Sequence, residues 1–428
     1  MATSAQDMVR PGECMDLYYY DGETSKKQCF PTTQNTKYVQ QFANTTGGSS
    51  VFTIPPTNGI QDVVCEFVLP GLTGSAAQLN ALELPRAWGY ALINQVSFRY
   101  GGSSQYFLTG DQVFQNALRA QTSRTSCDDI ATLGGNYATG LDLSGVAQTA
   151  AIVLRLPHSL PSGVGKSHPL PTDLLTQQVQ VTVELKPLAA IFGIAAAAPA
   201  GTAAAIPTQL SAAQFQVQQV MLNNQGDALA RRVDMATNAY AFPCEFTQQK
   251  TTIDLAAGAG AQPVTLTGFR SGEVKAIHCW LTRKADQENA QSNPAGAEYN
   301  PFNWYLPAAV QMTYAGDVYA RYEYGSSALW NLINGNKAPA FDNNVATDDG
   351  AGAFNVAPAL SQWVELPFAQ TLVDEDSHNI LVHGKPITNG IVNLLVTPPS
   401  NQADWQLNVS YIYNTTLLFS QGTCDYVF

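Results

Sequence analysis

The stretch VSFRYGGSSQYFLTGDQVFQNAL, residues Val96–Leu118, occurs again in altered form as VQMTYAGDVYARYEYGSSALWNLI, residues Val310–Ile333. Each version begins with alternating apolar residues, passes through a glycine turn and reaches a glycine that is followed by Asp111 or Ser326. Asp and Ser are good helix N-caps because the side-chain oxygen accepts a hydrogen bond from a free backbone N–H. Both versions therefore predict a strand, a turn and a short helix, at an offset of 214 residues for the strand and 215 for the helix.

Each of these predicted helices has one apolar face, and other similar segments follow it in the same order in both halves of the chain. The two apolar faces consist of Phe114, Ala117 and Leu118, and of Leu329, Trp330 and Ile333. The other similar segments are LRLPHSL from Leu154 and VELPFAQ from Val364, the strands Val179–Leu185 and Ile391–Val396, and the closing strands Phe215–Leu222 and Leu407–Tyr413. Such a series, at a nearly constant offset, indicates a duplicated domain of about 200 residues.

Alternation with a period of two residues dominates both halves and predicts β-strands. In QQVQVTVELK, for example, Val179, Val181, Val183 and Leu185 share one face, and polar residues occupy the other. Strands that are apolar on one side only are typical of antiparallel sheets. The sequence therefore predicts an all-β chain of two tandem eight-stranded antiparallel jelly rolls, with short helices in the loops.

The duplication also predicts the division of the chain. We expect an N-terminal arm and first-strand region at residues 1–50 and a first jelly roll at residues 51–225. A linker with a short helix follows at residues 226–240, and a second jelly roll at residues 241–428.

Composition and charge exclude several functions. Only 13% of the residues are charged, and the formal net charge is −12. Affinity for nucleic acid comes mainly from Lys and Arg, so we expect no sequence-specific nucleic-acid binding. The seven cysteines form no CxxC pair, which argues against a zinc site. We interpret Cys65 and Cys279 as buried thiols, because they lie in apolar strand-like runs. The scattered cysteines and an N-terminal segment without an apolar signal core indicate a reducing compartment.

Three patterns have the composition of functional or membrane-spanning segments but lack the required context. The string Gly165-Lys166-Ser167 resembles the end of a phosphate-binding loop, but Leu160 occupies the position of the first glycine, and Pro171 would fall inside the helix that such a loop needs. The acidic loop at Asp374–Asp376 does not have the spacing of an EF-hand. The uncharged segment Leu188–Pro207 is mostly Ala and Gly, so we interpret it as a low-complexity loop and not as a membrane span.

The five histidines do not form a recognisable catalytic or metal-binding pattern. His158 and His168 lie in a Pro-rich loop, His278 lies in a strand, and His378 and His383 are expected on opposite faces of one. The sequence contains neither HExxH nor GxSxG. We therefore predict no catalytic residue, no metal ligand and no cofactor, and interpret the protein as a non-enzyme.

Four segments resemble the double jelly-roll major capsid proteins of eukaryotic double-stranded DNA viruses, a group that includes nucleocytoplasmic large DNA viruses, virophages and polinton-like viruses. They are IQDVVCEFVL, INQVSFRYGGSSQYFLTGDQVFQNALRA, LPHSLPSGVGKSHPLPTDLLTQQVQVTVELK and FQVQQVMLNNQGDALARR. The order of these segments follows the family over residues 51–413. The resemblance implies homotrimers that form pseudo-hexagonal capsomers, which tile an icosahedral virus shell.

The resemblance further implies contacts with neighbouring trimers, with penton and minor capsid or cement proteins, and with an internal membrane beneath the shell. It implies a location in the virion after assembly inside the host cell. The loops Ser103–Thr109, Asp286–Trp304 and Phe341–Ser361 are candidates for the outer surface or for subunit contacts. Two alternatives remain open from the residues alone: a jelly-roll carbohydrate-binding protein and a receptor-binding virion adhesin.

Overall fold

The structure is a computed structural model that describes most of the chain. The described residues are 33–101, 105–121, 123–155, 170, 172–222, 239–258, 260–287, 299–323, 340–348, 351–352, 354–368, 384–387, 390–400 and 404–427. The phosphate-loop-like string, the acidic loop at 374–376, the helix predicted after Ser326 and residues 226–238 of the predicted linker lie outside them. The domain boundaries at 1–50, 51–225, 226–240 and 241–428 therefore remain predictions.

Residues 33–222 contain eleven of the described strands and four of the described α-helices. The strands are β1 (Thr33–Gln41), β2 (Gly48–Ile54), β3 (Gly59–Leu69), β4 (Leu82–Leu84), β5 (Ile93–Arg99), β6 (Tyr106–Thr109), β7 (Ala138–Thr139), β8 (Gln148–Leu154), β9 (Val179–Leu185), β10 (Gly193–Ile194) and β11 (Ala212–Leu222). The helices are α1 (Ala76–Asn80), α2 (Trp88–Leu92), α3 (Gly110–Arg119) and α4 (Arg124–Leu133).

Residues 240–427 contain thirteen further described strands and one short helix. The strands are β12 (Tyr240–Thr247), β13 (Thr251–Asp254), β14 (Gln262–Leu266), β15 (Glu273–Arg283), β16 (Ala309–Tyr314), β17 (Asp317–Glu323), β18 (Ala340–Asp348), β19 (Phe354–Gln362), β20 (Val364–Pro367), β21 (Lys385–Pro386), β22 (Val392–Thr397), β23 (Trp405–Ser420) and β24 (Thr423–Val427). The helix is α5 (Lys284–Gln287).

Each half of the chain is built on two antiparallel layers whose four main strands have the same order. In the first roll, sheet A has the order β1-β11-β3-β8 and sheet B the order β2-β9-β5-β6. In the second roll, the main strands of sheet A have the order β12-β23-β15-β20, and those of sheet B the order β14-β22-β16-β17. Three further strands extend this second sheet A to seven, because β13 and β24 pair with β23 and β21 pairs with β15. If the eight main strands of each roll are counted along the chain, both A sheets read 1-8-3-6 and both B sheets 2-7-4-5. This repeated order confirms the prediction of two tandem jelly rolls.

The segments that indicated the duplication occupy equivalent places in the two rolls. Strands β5 and β16 are each the fourth main strand. The segment VELPFAQ begins with β20, the sixth main strand, whereas LRLPHSL shares only Leu154 with the equivalent β8 and lies outside the described residues from 156 onward. The strong strands β9 and β22 are each the seventh, and β11 and β23 are each the eighth. The similarity in sequence therefore reflects equivalent positions in the fold.

The core of each roll lies between its two sheets, as the alternation predicts. Every second residue of β9, from Val179 to Leu185, is buried, and the residues between them are partly exposed. The rings of Phe52 in β2 and Phe215 in β11 stack with their centroids 4.1 Å apart and so join the two sheets of the first roll. Burial of each such side chain contributes about 1.5–3 kcal/mol to folding.

Long connections at one end of the first roll are held together by a small sheet of their own. Strands β10, β4 and β7 come from three different connections and pair in that order. The segment Leu188–Pro207 lies here, and it forms β10 and short 3-10 helices over Leu188–Ile191 and Thr202–Ala205. None of the helices in the described ranges is long and apolar enough to cross a lipid bilayer.

Two expectations about strands are wrong. Residues Tyr106–Thr109, predicted as part of a loop, form β6, because Tyr106 and Leu108 turn inward and pair with β5. Strand β23, whose alternation predicts a core on one side only, is buried on both faces over residues 407–413, and the neighbouring β15 is buried on both faces over residues 276–282. Their second face is covered by the first roll.

The described cysteines, Cys65, Cys127, Cys244, Cys279 and Cys424, are all buried free thiols. Burial raises the pKa of Cys65 well above its ordinary value and raises the pKa of Cys279 to about 12. The prediction of buried thiols at Cys65 and Cys279 is confirmed.

Candidate functional site: the interface between the two rolls

Helix α3 lies between the two rolls and begins at Gly110, directly after β6. Its N-cap is Thr109, not the predicted Asp111, because Gly110 and Asp111 already belong to the first turn. The amide of Thr109 donates to Gln112 Oε1 at 3.3 Å, and the amide of Gln112 donates to Asp111 Oδ1 at 3.1 Å. Free N–H groups at the helix start are thereby satisfied within the first turn.

The apolar face predicted for α3 is buried, but so is much of the opposite face. Phe114, Ala117 and Leu118 are buried, together with Gln112 and Gln115. Gln112 Nε2 donates to the backbone oxygen of Gln248 and to Ser410 Oγ, each at 2.8 Å. One side chain from the first roll thus satisfies two acceptors on the second roll, one of them on the outer face of its sheet A.

Arg119, at the end of α3, reaches a cluster of charged residues on the second roll. We call Arg119, Glu245, Lys275, His278 and Glu365 the Arg119 cluster. Arg119 Nη1 lies 3.0 Å from Glu245 Oε2, and Arg119 Nη2 lies 3.2 Å from Glu365 Oε1. Lys275 Nζ pairs with Glu245, and His278 Nε2 lies 3.5 Å from Glu365 Oε2. Two carboxylates face two permanent positive charges, so the cluster is neutral while His278 carries no proton.

The pKa values of the cluster follow from burial and from these charges. Burial opposes ionisation of Glu245, but Lys275 and Arg119 outweigh it and hold the pKa of Glu245 at about 2. Despite burial, Arg119 above all keeps the pKa of Glu365 well below its ordinary value. Burial, reinforced by the charge of Arg119, lowers the pKa of His278. The cluster is therefore fully paired at neutral pH, with a neutral imidazole.

A group of aromatic rings surrounds the middle of α3. The ring of Phe114 lies 4.8 Å from Phe302, 5.7 Å from Trp304 and 5.1 Å from Phe341, measured between centroids. Trp304 also meets Trp363 edge-on at 5.5 Å. Aromatic pairs in such tilted or edge-to-face arrangements add about 0.5–1.5 kcal/mol each beyond the area that they bury.

Two of the predicted surface loops take part in this interface through their described residues. Residues 299–304, from the connection between β15 and β16, supply the buried Phe302 and Trp304. The segment Phe341–Ser361 forms most of the hairpin β18–β19, which packs against α4. There the amide of Asp342 donates to Asp128 Oδ1 at 2.7 Å, and Arg86 donates to the backbone oxygen of Asp342.

The C-terminal hairpin forms the other end of the interface. Tyr106 Oη, from the first roll, accepts a hydrogen bond of 3.1 Å from the amide of Thr247. The ring of Tyr106 lies 4.7 Å from Phe246 and 6.2 Å from Tyr426 in β24. Near the β23–β24 turn, the amide of Thr176 donates to the oxygen of Gly422 at 2.8 Å. The interface therefore extends from the long connections to the opposite end of the rolls.

The structure brings together few of the residues that the sequence analysis examined as site candidates. His278 belongs to the Arg119 cluster, as a buried residue of a sheet. His158, His168, His378, His383 and the acidic loop lie outside the described residues. Within the described ranges, no three His, Cys, Asp or Glu side chains are grouped so that they could hold a metal ion.

Arg119, Glu245 and Glu365 were not among the candidate residues predicted from the sequence. The available indication was a charged residue inside an apolar strand, as in CEF at residues 244–246 and VEL at residues 364–366. Charged residues inside buried strands are rare unless they are paired, so each of these glutamates indicated a hidden partner. The partner itself is 126 residues away from Glu245 and 246 residues away from Glu365.

The sequence matches no family model and no curated protein. The structure, by contrast, is similar to several solved virus structures. A quasi-atomic structure of the PBCV-1 virus capsid has a TM-score of 0.61 and 12% identity, covering 94% of this chain and 98% of that one. The Sputnik virophage structure solved by cryo-EM has a TM-score of 0.53 and 12% identity, covering 92% and 88%. The Faustovirus major capsid protein has a TM-score of 0.51 and 10% identity, covering 95% and 93%.

At 10–12% sequence identity, the similarity is one of fold. The length of the aligned part shows how much of the fold is shared. Each alignment spans nearly all of both chains, so both rolls and the interface between them contribute to it. The chain therefore has the double jelly-roll fold of the capsid proteins in these virus structures.

Proposed function

We propose that this protein is a major capsid protein, whose homotrimers form pseudo-hexagonal capsomers that tile an icosahedral virus shell. The observation that carries the proposal is the pair of jelly rolls with identical strand order, joined by a buried polar and aromatic interface. A hexagonal block needs six similar wedges. A chain that holds two equivalent rolls in a fixed relation supplies six wedges from three copies.

The interface between the rolls supports this proposal because it suits a rigid building block. Its charged, polar and aromatic contacts reach from Asp342 at one end to Gly422 at the other. The rings around Phe114 give the interface an apolar centre, and large interfaces with apolar centres keep two domains from moving independently. A capsomer that must match its neighbours on all sides requires that rigidity.

The outer face of sheet B in the second roll supports lateral contact between proteins. Across β14, β22 and β16 its outward residues are uncharged, and they include Pro263, Leu395 and Gln311 in one row. Leu395 is 42% exposed. Uncharged surfaces with exposed apolar side chains are suited to association with other proteins.

The proposal includes a non-enzymatic role and a location in the virion. It also includes assembly in a reducing compartment of the host cell, where buried thiols such as Cys65 stay free. The further partners we propose are penton proteins, minor capsid or cement proteins and an internal membrane beneath the shell. With a net charge of −12, the protein would enclose nucleic acid without binding a specific sequence.

Light scattering and negative-stain imaging of the purified protein test the proposal together. We expect a particle of three times the chain mass of 45.9 kDa, with a hexagonal outline and a three-fold centre. A protein that stays monomeric at micromolar concentrations, or an elongated particle present in few copies per virion, would contradict it. The second result would favour a receptor-binding adhesin.

A further inference from the structure

The Arg119 cluster joins the two rolls, because its members come from both of them. Arg119 belongs to α3 of the first roll, and the other four side chains belong to β12, β15 and β20 of the second. On the outer face of the second sheet A, Ser410, His278 and Glu365 stand side by side in one row. Gln112 donates to Ser410 at one end of this row, and Arg119 pairs with Glu365 at the other, so α3 crosses the row over His278. The rise of about 10 Å from Gln112 to Arg119 matches two strand spacings of about 4.8 Å.

The imidazole of His278 shares a carboxylate with the ion pair that joins the rolls. Its side chain is almost completely buried, and its Nε2 atom lies 3.5 Å from Glu365 Oε2. The other oxygen of the same carboxylate, Glu365 Oε1, lies 3.2 Å from Arg119 Nη2. A proton on His278 therefore acts directly on a contact between the two rolls.

The charged groups around His278 are balanced only while the imidazole is neutral. Arg119 faces it from α3, Glu365 from β20 and Glu245 from β12. Lys275 lies on the same strand as His278, and the serine that β23 contributes to the row carries no charge. A proton on His278 adds a third positive charge to a cluster that has two carboxylates. Burial first, and the charge of Arg119 second, lower the pKa of His278 accordingly.

We propose that the Arg119 cluster is an acid-sensitive lock between the two rolls, in which protonation of His278 separates β6 and α3 from sheet A of the second roll while both rolls stay folded. The core of each roll lies between its own two sheets, whereas α3 packs on an outer face. Separation therefore admits water to the excess positive charge without opening either core. The inference does not depend on the proposed function, because it concerns a contact within a single chain.

The difference in proton affinity between the closed and the open contact sets the size of the effect. In the open form water reaches His278, so its pKa returns toward the ordinary value of 6.5. The ratio of open to closed molecules then rises by up to about ten-fold for each pH unit below 6.5, and by about ten-fold in all between pH 7.5 and 5.5. Glu245 and Glu365 stay ionised in this range, because their pKa values are depressed.

Hydrogen exchange resolved to single residues measures the opening through the amide of Thr247. This amide lies on the second roll and donates to Tyr106 Oη on the first, so it exchanges readily only when the contact opens. The amides of β9, inside a sheet of the first roll, report unfolding of the roll itself. After correction for the intrinsic pH dependence of exchange, we expect Thr247 to lose about ten-fold in protection between pH 7.5 and 5.5, with no comparable loss in β9.

Three variants separate the effect of the proton from that of the fold. His278→Gln removes the titrating group, so the pH dependence at Thr247 should disappear. Glu365→Gln removes one of the two carboxylates, so it should lower the protection of Thr247 at pH 7.5 about as far as acid does in the wild type. The matched control, Ser410→Ala, removes an acceptor of Gln112 without changing any charge, so it should speed exchange equally at both pH values.

Unchanged protection of Thr247 in the wild type between pH 7.5 and 5.5 would overturn the inference. An equal pH dependence in His278→Gln would do the same, because another group would then control the contact. Simultaneous loss of protection at Thr247 and in β9 would show that acid unfolds the chain as a whole and would also overturn it. The wild-type comparison decides the question even where a variant does not fold.

Discussion

The guanidinium of Arg119 brings a positive charge to two carboxylates that have almost no access to water. Its side chain and that of Glu245 are each only 7% exposed. We expect Arg119→Met to lower the free energy of unfolding by about 3–5 kcal/mol, because the substitution leaves a buried negative charge without its partner. Chemical denaturation of the purified protein measures this change.

The matched control for that experiment is Arg124→Met. Arg124 also forms an ion pair between the rolls, with Asp342, but both side chains are more than half exposed. Exposed pairs contribute about 0–1 kcal/mol, so the control should be nearly neutral. Equal effects of the two substitutions would show that burial does not determine the strength of contacts between the rolls.

His278 should make the stability of the protein fall as the pH drops below about 6.5. Its pKa is lowered in the folded protein from the ordinary value of 6.5, by burial first and by the charge of Arg119 second, while Glu365 and Glu245 oppose the shift. The unfolded chain therefore binds this proton more readily, and stability is lost as the pH falls below about 6.5. The carboxylates affect stability in a separate pH range. Because the pKa of Glu245 is depressed in the folded protein, its contribution to stability is lost only as the pH falls from about 4.5 to about 2.

The variant His278→Gln tests this account. The free energy of unfolding, measured in urea at pH 7.5, 6.5 and 5.5, should fall less steeply in the variant than in the wild type. All other histidines contribute equally to both proteins, so the difference between the two slopes isolates His278. Parallel slopes would mean that His278 is as readily protonated in the folded protein as in the unfolded chain.

At the scale of elements, α3 depends on the absence of a side chain at its first residue. A Cβ atom on Gly110 would lie 2.4 Å from the backbone oxygen of Tyr90 and 2.5 Å from that of Ile93. Neither carbonyl can move without disturbing α2 and β5. Although alanine normally stabilises a helix relative to glycine, we expect Gly110→Ala to cost about 1–3 kcal/mol through this overlap.

Gly260 provides the control for Gly110→Ala. It lies in the connection before β14, and a Cβ atom there would meet nothing within 4 Å. Gly260→Ala should therefore change the unfolding temperature very little, while Gly110→Ala lowers it by several degrees. If both variants have the same unfolding temperature as the wild type, α3 can shift away from α2 without a loss of stability.

The same helix indicates what the sequence can predict about an element. Its position and its apolar face were predictable, because Phe114, Ala117 and Leu118 recur with helical spacing after a strand. Its N-cap was placed two residues late, since Asp111 is a good capping residue and Thr109 was assigned to a loop. The burial of Gln112 on the other face could not be predicted, because its partner Ser410 is 298 residues away in the sequence.

At the scale of the whole molecule, the duplication made the two-roll architecture predictable from the sequence. The contact between the two rolls could not be predicted in this way. The offset between equivalent segments fixed which strands correspond, and every one of the compared strands occupies its expected place in the sheets. Packing of one roll on the other depends on which side chains meet in space. The residues next to Arg119 and Glu365 in the sequence do not reveal that these two side chains form an ion pair.

The net charge of −12 leads to a prediction about assembly, which rests on the proposed function. Three chains triple this charge, and blocks of like charge repel each other. Repulsion between exposed charges reaches about 30 Å at 0.01 M salt and about 8 Å at 0.15 M. If neighbouring trimers meet through the uncharged outward residues of β14, β22 and β16 in the second roll, contacts there supply no charge pairs to offset this repulsion.

We therefore expect association between purified trimers to strengthen as salt rises from 0.01 to 0.15 M, at concentrations where the trimer itself is stable. Lowering the pH toward the isoelectric point near 4.8 should act in the same direction, because protonation removes negative charge. Static light scattering at a series of salt concentrations and pH values measures both effects. A separate series with added divalent ions detects specific bridging of carboxylates between trimers. If association weakens steadily with added salt, complementary charges hold the trimers together, and the uncharged face around Leu395 is not the surface that joins them.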